Sequence, residues 1–144
     1  RALALQPDYP QVQQTAAEIY LQQQRFDRVL ATLDRLHDTH GVDAASARVD
    51  LLRGIALRQE GRTDDAKTSF RRAIAKDGSD PEPLIELAAL ELKDGQVERA
   101  RSALEQAAEI APELFKDGIL VAELQDTEKR IAVESAGKDT RQRH

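Results

Sequence analysis

The feature that most constrains this 144-residue chain is a pattern that returns every 34 residues. Gly54, Gly61, Ala66, Phe70, Ala73 and Gly78 are followed at that interval by Ala88, Gly95, Ala100, Leu104, Ala107 and Pro112. At a spacing of 37 the pattern also reaches backward: Ala17, Tyr20, Phe26, Val29, Leu33 and Leu36 match Gly54, Leu57, Thr63, Ala66, Phe70 and Ala73. The three additional residues fall in the connection around His37 to Ala47. Ala2, Leu3, Leu5 and Pro7 read as the last turns of one more such unit, so the chain starts inside a repeat. Beginning at Arg1 and not at methionine, it reads as a piece of a longer protein. A unit of this length, made of two helices, cannot bury its apolar face alone, and neighbours must stack.

Each repeated residue type has a physical reason. Ala17, Gly54 and Ala88 let the second helix of the same unit approach closely, while Ala66, Ala73, Ala100 and Ala107 serve the reciprocal surface. Phe26, Phe70, Leu33 and Leu104 fill the space between pairs. Helix ends are signalled by Asp80 before Pro81, by the looser Asp8 before Pro10, by Thr63 as a cap, and by Gly61 and Gly95 as stops. The pattern predicts helices over 10–23, 26–38, 44–59, 63–77, 81–93 and 97–110. After Pro112 the repeat is lost, but Leu114, Phe115, Ile119, Leu120 and Leu124 still form a helical stripe suited to covering the last open face. From Glu134 onward the sequence has no apolar rhythm and is expected to be disordered.

Composition agrees with many small helix contacts: 40% of residues are apolar but only 3% aromatic. The formal net charge is -5, with 21 basic residues interspersed among 26 acidic ones. No basic stripe for nucleic acid is present; the densest basic pair, Arg71 and Arg72, is flanked by Asp64, Asp65 and Asp77 and reads as a solvated helix face. With no cysteine, disulfides, thiolate metal sites and cysteine nucleophiles are excluded, and the compartment stays open between cytoplasm and periplasm. No apolar run approaches the roughly 20 residues of a membrane-spanning helix, so no membrane insertion is expected of this stretch.

The stretches LLRGIALRQEGRTDDAKTSFRRAIAKDG and LAALELKDGQVERARSALEQAAEIAP resemble the tetratricopeptide repeat family over positions 10 to 112. The resemblance implies an all-α, right-handed α-solenoid of antiparallel helix pairs with a C-terminal capping helix. Its parts would be the end of a truncated preceding repeat at 1–7, full repeats at 10–43, 47–80 and 81–112, a cap of one or two helices at 113–135, and a disordered tail at 136–144. Three positions depart from the family pattern. Asp50 stands where a large apolar residue is expected, Glu91 replaces an aromatic, and Gln24 occupies the turn position of Gly61 and Gly95. A slight rotation would let Val49, Leu51, Leu52, Leu90 and Leu92 fill the core instead.

In the family the first helix of each repeat lines a concave wall that holds a protein or peptide. Carried over, that wall presents Gln11, Gln14, Thr15, Glu18 and Gln22; then Arg48, Leu51, Leu52, Ile55, Arg58 and Gln59; then Glu82, Ile85, Glu86, Ala89 and Lys93. An extended or helical segment would meet an apolar centre, with Arg48 and Arg58 pairing its carboxylates; alternatively Leu51, Leu52 and Ile55 are core. Members that clamp the C-terminal carboxylate of heat-shock chaperones carry Lys and Asn on the first of these helices, Asn on the second and basic residues on the third, where this chain has Gln14, Glu18, Leu52, Glu82 and Glu86, so that clamp is absent. The resulting reading is a protein-binding scaffold module of a larger bacterial protein, with self-assembly through exposed repeat faces as the alternative. Asp34, His37, Asp38 and His40 form the only cluster resembling a metal site, and are read as a polar helix end in which His meets the helix dipole. No nucleophile motif or phosphate loop occurs, so neither catalysis nor a cofactor is expected.

Overall fold

The computed structural model describes residues 9–115 together with Lys129 and Val133. Six helices follow one another: α1 (Pro10–Gln22), α2 (Phe26–His40), α3 (Ala47–Gln59), α4 (Thr63–Lys76), α5 (Glu82–Lys93) and α6 (Val97–Ile110), then a 3-10 turn at Pro112–Phe115. Among the described residues there is no strand. The unit at 1–7 and the tail at 136–144 lie outside the described residues. So does the cap at 113–135, apart from its start in the 3-10 turn and the isolated Lys129 and Val133.

The helix ends have local causes. At the end of α1, α3 and α5 the chain turns back through the same double hydrogen bond, for example Gly61 N to Arg58 O at 3.0 Å and Arg62 N to Leu57 O at 2.9 Å. That turn needs a left-handed residue, and Gly61 (φ 79°) and Gly95 (φ 76°) supply it. Gln24 takes the same conformation at φ 59° despite its side chain. α3 starts at Ala47 and not at 44, because Ser46 caps it, its hydroxyl accepting from Val49 N. Asp80 Oδ1 accepts from Glu82 N at 3.0 Å, but the cap position itself falls on Pro81 and not on Asp80, because the carbonyl of Pro81 accepts the first helical bond, from Ile85 N. Thr63 does not cap α4; it is the first helical residue, and no side chain closes that end.

The chain divides between Ser79 and Asp80 into two compact units. In the first, α1 packs on α2 and α3 on α4, while α2 also lies along α3 and α1 touches α3. In the second, α5 packs on α6 and the 3-10 turn closes against α6. One core cluster of the first unit joins Ala17 of α1, Val29, Leu33 and Leu36 of α2, Ala45, and Val49, Leu52 and Ala56 of α3, with Tyr20, Leu21, Phe26 and Leu30 against its sides. Residues of both hairpins are needed to close it, which is the physical reason such units stack. Burial of each Leu or Val there contributes about 1.5–3 kcal/mol.

Between α3 and α4 the close approach falls at Gly54. A Cβ built on it would lie 2.6 Å from Phe70 Cδ1 and 2.8 Å from Cζ, so the ring occupies the room that the missing side chain leaves. Phe70 is fully buried as a result.

Asp50 and Glu91 are not displaced by rotation. Both keep the repeat register and are themselves buried, at 0% and 2% exposure. For Asp50 the compensation is visible. Lys76, the last residue of α4, brings Nζ to 2.7 Å from Asp50 Oδ2. The same ammonium donates to the carbonyls of Val42 (2.7 Å) and Ala45 (2.8 Å). One lysine thereby neutralises the buried carboxylate and ties down the longer connection that separates the first two repeats.

Candidate protein-binding wall

In the first unit the first helices of successive hairpins run beside each other, and the side chains expected on the wall meet across that seam. Arg48 Nε donates to Glu18 Oε1 at 2.9 Å, and Ser46 Oγ donates to Gln14 Oε1 at 3.0 Å. Gln11, Thr15, Gln22 and Gln59 are exposed, and Gln14, Glu18, Ile55 and Arg58 are partly so. Ser46 was not singled out in the sequence; its position just before a helix, the usual place of a cap, is the signal that would have found it.

Two expected wall residues are not available. Leu51 is 1% exposed and Leu52 is 0% exposed, and Leu52 belongs to the core cluster. A run of apolar residues in α3 left the choice of face open, and packing against both α2 and α4 draws these two inward. The apolar part of the wall in this unit is therefore reduced to Ile55. Arg48, expected to await a carboxylate from a guest, already has one in Glu18. In the second unit Glu82, Ala89 and Lys93 are exposed and Ile85 and Glu86 partly so.

The histidine cluster stands at the polar end of α2, with His37 and His40 in its last turn. His37 Nδ1 lies 3.0 Å from Arg53 Nη2, and the same nitrogen lies 2.6 Å from Asp34 Oδ1. A guanidinium only donates, so Nδ1 must accept, and the proton of the neutral ring sits on Nε2. Burial, then the Arg53 charge, lowers the His37 pKa below its ordinary value of 6.5, against the rise that Asp50 and Asp34 would give. The lone pair a metal would need is engaged by a cation instead. Among the described residues no group of three or more His, Asp or Glu is placed to hold a metal ion. Among them, too, no helix is long and apolar enough to cross a membrane.

Two tetratricopeptide repeat family models match the sequence, one over residues 15–81 and one over 57–125. The chain belongs to the tetratricopeptide repeat family. Its solved relatives in fold include the Yersinia enterocolitica type III secretion chaperone SycD in complex with a peptide of the translocator YopD. That likeness has a TM-score of 0.66 and 21% identity, over 85% of this chain and 92% of SycD. The first tetratricopeptide repeat domain of Spaghetti (RPAP3), bound to the HSP90 peptide SRMEEVD, has a TM-score of 0.72 and 17% identity, over 85% and 93% of the two chains. The first such domain of human RPAP3 has a TM-score of 0.74 and 15% identity, over 88% and 97%. None of the curated proteins compared matches in sequence. At these identities the likeness establishes the tetratricopeptide repeat fold.

Proposed function

We propose that this tetratricopeptide repeat chain is a non-catalytic interaction module that holds a peptide segment of another protein against the wall of its first helices. The observation that carries this reading is the seam between α1 and α3. Glu18 with Arg48, and Gln14 with Ser46, align polar side chains of successive repeats into one row, next to the partly exposed Ile55 and Arg58. Such a row offers a peptide charge and hydrogen-bond partners with one apolar contact, and recognition then depends on matched polar groups more than on greasy area. Support also comes from SycD and the RPAP3 domain, whose structures hold peptides. A chaperone-tail peptide is not the occupant proposed, because Gln14 and Glu18 stand where its clamp would need Lys and Asn, Glu82 and Glu86 stand where it would need basic residues, and Leu52, in place of an Asn, is buried.

A photocrosslinking residue placed at Gln59 on the wall, and at Asp64 on the outer helix as a control, tests the proposal. Expected is capture of a defined peptide segment from Gln59 alone, reduced by Arg58→Glu and Ile55→Asp in the same protein. Equal capture from both positions, or capture indifferent to those substitutions, would overturn it.

A second reading, self-association, has its own observation. Tyr9, just before α1, and Ile19 are 55% and 48% exposed, and Val12, Ala16 and Ile19 lie on one face of α1 along a surface hollow of about 440 Å³. Light scattering over a concentration series decides it: a mass that stays monomeric throughout removes this reading, and a dimer abolished by Ile19→Glu supports it.

A further inference from the structure

A pocket of about 190 Å³ opens between α3 and α4. Arg53 and Leu57 reach it from the side of α3 opposite to Arg48, Ile55 and Gln59, since residues four apart share a helix face and these two sets fall about half a turn from each other. It is therefore separate from the proposed wall.

Arg62 enters from the turn before α4, and α4 contributes Asp65, Thr68, Ser69 and Arg72 at the spacing of a single face. Three guanidiniums thus meet one carboxylate. Asp65 Oδ2 is held by Arg62 through Nη2 (2.9 Å) and Nε (3.2 Å), leaving its other oxygen open. Asp34, beside the pocket, takes Arg53 Nη2. Arg53 Nε, by contrast, is buried with no hydrogen-bond partner among the described residues. Arg72 has neither a hydrogen bond nor an ion pair among them. A buried unsatisfied donor of a charged group is costly, and converging arginine forks are the usual answer to an oxyanion.

The acceptors in the pocket narrow the anion further. Thr68 Oγ1 spends its proton on the Asp64 carbonyl (3.1 Å), so toward the pocket it can only accept. The open oxygen of Asp65 can likewise only accept. An anion with no proton of its own would be repelled by both, whereas hydrogen phosphate can donate to either. The volume lies below the roughly 300 Å³ at which pockets for organic ligands begin, which fits a small ion and not a nucleotide.

We propose that this pocket is a binding site for the hydrogen phosphate ion, with Arg53, Arg62 and Arg72 neutralising its charge and Asp65 with Thr68 accepting its proton. Calorimetric titration of the whole chain with sodium phosphate and with sodium sulfate, at equal ionic strength and neutral pH, tests it. Expected are saturable binding of phosphate at one site, sulfate binding at least several-fold weaker, and a loss of roughly tenfold in phosphate affinity for Arg72→Gln. Asp65→Asn, which supplies a donor, is expected to abolish the preference for phosphate over sulfate. Circular dichroism of both variants, at exposed positions, checks that they remain folded. No saturable phosphate binding, equal affinity for the two anions, or Arg72→Gln without effect would each overturn the proposal.

Discussion

Lys76 Nζ sits 2.7 Å from Asp50 Oδ2, and the aspartate is fully buried while the lysine side chain keeps 22% of its exposure. The pair joins the end of α4 to the first turn of α3, and the same ammonium holds two carbonyls of the connection between the hairpins. Asp50 stands at a position the repeat usually gives to an apolar side chain. A buried ion pair adds little over a well-packed apolar pair, but breaking it strands a charge.

The expected consequence is a non-additive pair of mutations. Lys76→Met alone should cost about 3–5 kcal/mol, because Asp50 then lacks its counter-ion. Asp50→Leu in the same protein should recover more than half of that loss. Urea unfolding of the two single variants and the double variant measures the coupling. Additive losses would mean that Lys76 acts only through the carbonyls of Val42 and Ala45.

Gly54→Ala should destabilise the protein although alanine is the better helix former by about 1 kcal/mol. The new methyl group would press on the buried Phe70 ring, and overpacking of that kind costs about 1–3 kcal/mol. Gly78→Ala provides the contrast: a Cβ there meets nothing closer than Ile74 O at 3.9 Å, and its φ is not positive. It should be neutral or stabilising by up to about 1 kcal/mol. Thermal melts of both variants distinguish a packing effect from a general response to losing glycine.

Much of this architecture was legible because the repeat demands small residues where helices touch. Ala17, Gly54 and Ala88 can be read as contact points from size alone, and all three are buried. The partner of Asp50 was not legible. Lys76 lies one helix further on, and nothing local couples the two positions, so rotation of α3 was as good an account until the distance was known. Leu51 and Leu52 misled for a related reason. Adjacent apolar residues on a helix point to different faces, and only the packing of α2 and α4 around α3 determines that both turn inward. Arg71 and Arg72 read as one solvated pair, yet Arg72 alone reaches the pocket, because facing α3 is a property of one position in each turn.

Gln24→Gly should stabilise the first hairpin. The turn after α1 holds Gln24 at φ 59°, where the second and third repeats use Gly61 and Gly95. A side chain in that conformation costs about 1–2 kcal/mol. Glycine removes this cost but gains freedom in the unfolded chain, so the net effect is expected at about 0.5–1 kcal/mol of added stability. Denaturant midpoints compared with Gln24→Ala, which keeps the Cβ and should gain nothing, isolate the backbone contribution.

Stability should also depend on His37 as the pH falls. Its folded pKa lies below the ordinary 6.5, chiefly from burial and then from Arg53, whose Nη2 lies within hydrogen-bonding distance of Nδ1. In the unfolded chain the ring takes up a proton near its ordinary value, so between the two pKa values the unfolded state binds more protons and stability rises with pH. The contribution is fully present above about 6.5 and is lost as pH drops through the folded pKa. Protonation would set an imidazolium against the Arg53 guanidinium, with Lys76 near and only Asp34 and Asp50 to offset them. His37→Gln keeps an acceptor for Arg53 but does not titrate. The difference between the unfolding free energies of the two proteins, followed from pH 7.5 to 5, should therefore shift in favour of the glutamine variant as the medium becomes acidic. A difference that stays constant over that range would show that burial and Arg53 together do not hold the ring neutral.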